Sequence, residues 1–178
     1  YLDEDLEVHG IKPFGTFKMN SDSISNLAAN LISLKNNKAD TETCLFSPAA
    51  STLDLGELIN SVSRSLVHGG RTASVIRIID SPVTLKRRSF LSHGVLNEII
   101  YSDQVPAMID EITQRHEKEH AFVFIIIPLL DHTPWLEYLE AKVDHKIFVI
   151  ERGDAEIKHF VSTNHNLDTL RHGVTLIG

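Results

Sequence analysis

His116-Glu117-Lys118-Glu119-His120 matches H-E-x-x-H. On a helix, residues i and i+4 share a face, so both imidazoles could reach one zinc ion while the glutamate acts as base. The surroundings argue against that chemistry. The run from Gln114 to His120 is charged on every side, which predicts a solvated helix end. It also feeds an apolar strand at 122–127. That puts it at the N-terminal edge of a sheet, away from the crevice where open α/β folds bind ligands. The segment is therefore expected to hold no stoichiometric zinc, and a zinc-dependent hydrolase acting through His116, Glu117 and His120 ranks last among the functional readings. Ser47, Ser51 and Thr52 are candidate nucleophiles. No G-x-S-x-G elbow surrounds them, so helix capping and turn hydrogen bonds account for them better.

The stretch from Thr43 to Gly56 reads as a short buried strand, a small-residue loop and a helix start. A phosphate-binding loop at such a place carries G-x-x-x-x-G-K-[ST], whose backbone N–H groups and lysine hold the phosphates. Here the Gly-Lys-Ser positions read Leu53-Asp54-Leu55. A carboxylate at position 54 repels phosphate.

Other residues have bland accounts. Lys86-Arg87-Arg88 is the one basic cluster, and in an acidic chain it reads as a solvated loop. Gly69-Gly70 stops a helix. Cys44 lies in an apolar run and reads as a core residue; a single cysteine excludes an internal disulfide.

Strand-like and helix-like segments alternate along the chain. Helical spacing covers Ser21 to Asn36, Asp54 to Val67, Gln104 to Glu119, Pro134 to Ala141 and Asp154 to Leu170, with a short helix over Phe90 to Ile100. Strands are expected at 41–47, 72–80, 122–127, 146–150 and 174–177, and residues 1–20 read as irregular. The alternation predicts a three-layer α/β domain over residues 1–178, with one mostly parallel sheet and helices on both faces. With 178 residues, 42% hydrophobic and 23% charged, the chain can bury a core as one domain. A formal charge of −7 disfavours nucleic acid and anionic lipid as partners. No apolar run approaches the ~20 residues of a spanning helix. The chain begins at Tyr1, which reads as a domain excised from something longer.

The order of landmarks resembles the cytoplasmic domain of bacterial tyrosine kinases, in the MinD/ParA branch of P-loop ATPases. These work with polysaccharide co-polymerases. Tyr1-Leu2-Asp3-Glu4 with Gly10 to Phe17 resembles the family's opening segment. Ser25 to Leu31 resembles its "R-x-L-R-T-N-L" helix, and Asn60 falls on the Asn of its "NLA". Ile78-Ile79-Asp80 resembles the strand-ending Asp of the second acidic motif, Ser92 to Glu98 resembles "GLsdvLaG", and Phe122 to Leu130 resembles the Walker B strand. Val143 to Gly153 is similar to "aDgvllVvraG", and Gly173 to Gly178 to "GvvlN".

The departures from that family fall on the chemistry. The Walker A lysine position is Asp54, the Walker B carboxylate position falls in Ile125-Ile126-Ile127-Pro128, and the second Asp of the "D-x-D" motif is Pro82. Asp80 remains as the lone acidic remnant beside a degenerate loop made of Ser47, Ser51, Thr52, Leu53, Asp54 and Leu55. Asp22, Ser25 and Ala28 align with the inter-subunit motif E-x-x-R-x-x-R, so both arginines are replaced. The resemblance, so altered, implies a chain that is not an enzyme and holds no cofactor. It implies a cytosolic pseudo-kinase or pseudo-ATPase domain of a membrane protein, lying at the cytoplasmic face of the inner membrane. Its partners would be a polysaccharide polymerisation or export machinery or a cognate kinase or ATPase, with any homo-oligomer not built on the arginine motif. The alternative is a MinD/ParA-type regulatory ATPase with an atypical nucleotide site.

Overall fold

The computed structural model describes residues 12–34, 40–48, 55–80, 88–128, 134–151 and 170–177. Eight strands form one sheet: β1 (Lys12–Lys18), β2 (Glu42–Pro48), β3 (Ala73–Ile79), β4 (Arg88–Ser92), β5 (Val95–Tyr101), β6 (Phe122–Ile126), β7 (His145–Glu151) and β8 (Leu170–Ile177). Their order is β1-β8-β7-β2-β6-β3-β5-β4. Every neighbouring pair is parallel except β4 with β5. The helices are α1 (Ser21–Leu34), α2 (Leu55–His68), α3 (Val105–Glu119) and α4 (Pro134–Glu140).

The chain's apolar periodicities explain the layers. In α1, Ile24, Leu27, Ala28 and Leu31 recur on one face and are buried. Asn20 accepts the Ser23 N–H at 2.9 Å and caps the first turn. In α2 the buried stripe is Leu55, Leu58, Ile59, Val62 and Leu66. That helix ends as a Schellman turn: Gly70 takes φ 81, the Arg71 N–H reaches Leu66 O at 2.9 Å and the Gly70 N–H reaches Val67 O at 3.0 Å.

The central strand β6 is buried throughout and serves both faces of the sheet. Phe122, Phe124 and Ile126 join α1 and α2 in one core, whereas Val123, Ile125 and Ile127 join α3 and α4 in the other. Each such side chain contributes roughly 1.5–3 kcal/mol on full burial. Cys44 lies in the first core, and burial, then Glu42 and Asp144, push its thiol well above the ordinary range.

The expected α/β architecture is therefore present, and the five expected strands lie in one sheet, with β2 beside β6. Two expectations are corrected. Residues 12–18, read as irregular, form edge strand β1 on β8; a register shift between Pro13 and Gly15 interrupts the regular pairing. Residues 90–100, read as a short helix, form the hairpin β4–β5 instead. His93 and Gly94 turn it at φ 49 and 82, and two consecutive positive-φ residues make the tight turn that joins antiparallel strands. The helix expected over 154–170 falls on residues outside those described, except Leu170, which opens β8.

Candidate functional site

The C-terminal ends of β2, β6 and β3 lie where the strand order reverses, the position at which open α/β sheets bind ligands. The chain crosses sides here. From β2 it passes through α2 to β3 on one flank, and from β6 through α4 to β7 on the other. Ser47, next to last in β2, is 1% exposed, and its hydroxyl has no hydrogen-bond partner among the described residues. Leu55 opens α2 and is buried. Ser51, Thr52, Leu53 and Asp54 lie outside the described residues, as do Pro82, Lys86 and Arg87.

On β6, Ile125, Ile126 and Ile127 are buried, and the Ile127 N–H bonds Phe46 O at 3.1 Å. Residues 122–127 of the segment that resembles Walker B thus pack in the core. Asp80 stands just after β3, exposed, and its Oδ1 accepts the Ser102 hydroxyl at 2.9 Å. That bond ties the surviving carboxylate to the turn after β5.

Sequence reasoning missed Arg77. It is exposed between buried Ile76 and Ile78, in register with Ile126 of β6 and Ile99 of β5. Strand alternation puts it on the face covered by α1 and α2. An arginine breaking the Val75–Ile79 apolar run was the available signal.

The H-E-x-x-H segment lies elsewhere, at the N-terminal ends of the strands; Gln114, Arg115, Lys118 and Glu119 are exposed as expected of a solvated helix end, but the expectation is corrected at His116. His116 is 1% exposed. Its Nε2 is 2.7 Å from Glu98 Oε2 and its Nδ1 is 2.7 Å from Ser74 Oγ. Both ring nitrogens are thus engaged by Ser74 and Glu98. Glu98 is also buried and accepts Arg115 Nη2 at 2.8 and 2.7 Å on its two oxygens. Glu117 Oε1 accepts the Thr43 hydroxyl at 2.7 Å. His120 Nδ1 reaches the His116 carbonyl at 3.0 Å. Among the described residues no group of three or more His, Cys, Asp or Glu side chains is placed to hold a metal ion. The charged pattern misled because the helix end is clasped by Thr41, Thr43, Ser74 and Glu98 from neighbouring strands and loops. Burial holds the His116 imidazole below its ordinary pKa, against the opposing pull of the Glu98 hydrogen bond and charge.

Of the residues aligned with the inter-subunit motif, Asp22 and Ser25 are exposed on α1 and Ala28 is buried. No helix among the described residues is long and apolar enough to cross a membrane.

No protein-family model matches the sequence, and no curated protein matches it. Solved structures do. The kinase domain of Escherichia coli tyrosine kinase ETK superposes with a TM-score of 0.70 at 10% identity, covering 97% of this chain and 92% of that one. The chimerical protein CapA2B2 gives 0.69 at 10% identity, covering 98% of each chain. The BceF tyrosine kinase domain gives 0.64 at 14% identity, over 98% of this chain and 87% of that one. The chain therefore has the fold of bacterial tyrosine kinase domains, as its landmarks implied. The expectation that the chain is not an enzyme is corrected by the same matches. The ETK and BceF domains that share its fold along nearly its whole length are kinase domains, and so enzymes. The expectation had rested on the departures at Leu53-Asp54-Leu55, Ile125-Ile126-Ile127-Pro128 and Pro82.

Proposed function

We propose that this chain is a kinase-type domain that serves a bacterial polysaccharide polymerisation or export system, docking on and coupling to its membrane machinery from the cytoplasmic side. The observation that carries the proposal is the fold match to tyrosine kinase domains over 97–98% of the chain. The ordered landmarks in the sequence support it. In this reading the crevice around Ser47, Arg77 and Asp80 faces a nucleotide or a partner's phosphorylated segment, and α1 with its exposed Asp22 and Ser25 offers a subunit contact without arginines.

Deletion of this domain from the full-length protein in its native host tests the proposal, read by polysaccharide yield and chain length. A shifted length distribution is expected. Unchanged yield and length would sink the proposal.

Asp80 favours a second reading, a MinD/ParA-type regulatory ATPase with an atypical site, because it keeps the carboxylate at the end of β3. A micromolar dissociation constant for Mg·ATP, with turnover lost in Asp80→Ala, would select that reading.

A further inference from the structure

Ser74, Glu98, Arg115 and His116 form a polar cluster outside the crevice, and none of the chemistry proposed above uses it. It joins three elements: Ser74 from β3, Glu98 from β5, and Arg115 with His116 from the last turns of α3. Ser74, Glu98 and His116 are 0%, 1% and 1% exposed. Ionised Glu98 only accepts, so the His116 Nε2 carries the hydrogen and donates to it, and Nδ1 accepts the Ser74 hydroxyl. Each site on the ring is then filled once.

A second proton has one place to go, His116 Nδ1. Nδ1 would then be a donor, so the Ser74 hydroxyl would have to turn its hydrogen away and accept. One buried carboxylate would serve two cations, Arg115 and His116. Among the described residues, further titratable groups near the ring are on α3: His120, whose ring centroid is 6.0 Å away, and Glu117, which accepts from Thr43 of β2. From β6, the residue paired with Ser74 is apolar Val123.

We propose that this cluster is an acid-sensitive latch, which fastens the C-terminal turns of α3 to β3 and β5 at neutral pH and loosens when His116 takes a proton. The sign follows from burial, which lowers the pKa of the closed form. The latch holds fully above the free imidazole value of about 6.5. Below that value the open form binds the proton more readily, so opening grows as the pH falls. A single proton allows at most about a tenfold rise in the open-to-closed ratio per pH unit. Opening would also release the clasp of Thr41 and Thr43 on the helix end, at the start of β2.

Hydrogen exchange of amides 113–119 at pH 7.5, 6.5 and 5.5, corrected for intrinsic rates, tests this in the whole chain and in His116→Gln. Glutamine supplies a donor and an acceptor but does not titrate. Between pH 6.5 and 5.5 the native chain is expected to open roughly two- to tenfold more, and the variant is expected to show no such rise. Equal pH dependence in both would overturn the latch. Should the variant fail to fold, the imidazole titration of His116 in the native chain decides by magnetic resonance. His116 must stay neutral well below the free imidazole value of about 6.5. Titration at or above that value would equally overturn it.

Discussion

Lys146 Nζ lies 2.5 Å from Glu140 Oε1, and the two side chains are 1% and 2% exposed. The ammonium also sits 5.0 Å from the centre of the Phe148 ring. The pair pins the end of the short helix α4 to the start of β7, which is flanked by β2 and β8.

Removing one partner leaves the other charge buried, which costs about 3–5 kcal/mol. Lys146→Met and Glu140→Leu are each expected to lower unfolding free energy by that amount in urea titration. The double variant should cost less than the sum of the two, because their mutual contact is then lost only once. Full additivity would show that the pair does not act as a unit.

Gly15 supplies a second test. Its φ is 132, and an added Cβ would sit 2.7 Å and 2.9 Å from atoms of the Phe17 ring. Phe17 is 5% exposed within the core of α1 and α2, so its ring has little room to move. Gly15→Ala is expected to cost roughly 1–3 kcal/mol through backbone strain and the displaced ring. Gly69→Ala, whose nearest contacts are 3.5 and 3.6 Å, is the control. Thermal melts of the two variants falling together would remove the steric explanation.

The same positions show how far the sequence could be read. Period 3.6 over Ile24–Leu31 and Leu55–Leu66, and the unbroken apolar run Phe122–Ile127, fixed helices and central strand because burial is what those patterns encode. β1 escaped because Pro13 and Gly15 read as breakers. On an edge strand with a register shift, both are tolerated. The β4–β5 hairpin escaped because its turn is His93-Gly94 and not Asn-Gly, and because Val95–Tyr101 carries Asn97 and Glu98 on a strand buried on both faces. Those two polar residues were the misleading signal. Glu98 is buried through Arg115 and His116, partners distant in sequence that no local pattern reveals. In the crevice, Ser47 and Asp80 were legible from strand ends, whereas the exposure of Arg77 depends on how the helix layer covers β3.

Asp110, Tyr138 and Lys142 make a surface cluster that bridges α3 to the end of α4. Lys142 Nζ is 2.5 Å from Asp110 Oδ1 and 2.5 Å from the Tyr138 hydroxyl, which also donates to Asp110. The Lys142 and Tyr138 hydrogen bonds hold the Asp110 carboxyl below the usual carboxylate range. A depressed carboxylate stabilises above its unfolded pKa, about 3.9, and that contribution is lost as the pH falls through the folded value. Lys142 and Asp110 are 43% and 47% exposed, so solvent screening leaves the pair worth at most about 1 kcal/mol. Lys142→Met is expected to lower stability by no more than that at pH 7, with the difference shrinking in high salt and as the pH falls below about 3.9. A loss of several kcal/mol at pH 7 would mean the cluster is shielded from water.

The final prediction concerns the residue at the phosphate loop. In the family resemblance, Asp54 and Leu53 align with the lysine and glycine of a nucleotide loop. The lysine would add a charge-assisted hydrogen bond, worth roughly 1.5–3 kcal/mol. At 1.4 kcal/mol per tenfold, this is about 10- to 100-fold in affinity, before any repulsion from the carboxylate is relieved. Leu53→Gly with Asp54→Lys should therefore tighten Mg·ADP binding by at least about tenfold, read by calorimetric titration against the native chain. Adding Asp80→Ala to that double variant should weaken the magnesium-dependent part of the gain, because Asp80 is the carboxylate placed at the end of β3. An unchanged affinity in the double variant would mean that the crevice between β2 and β3 does not receive phosphate, and the nucleotide reading of this chain would fall.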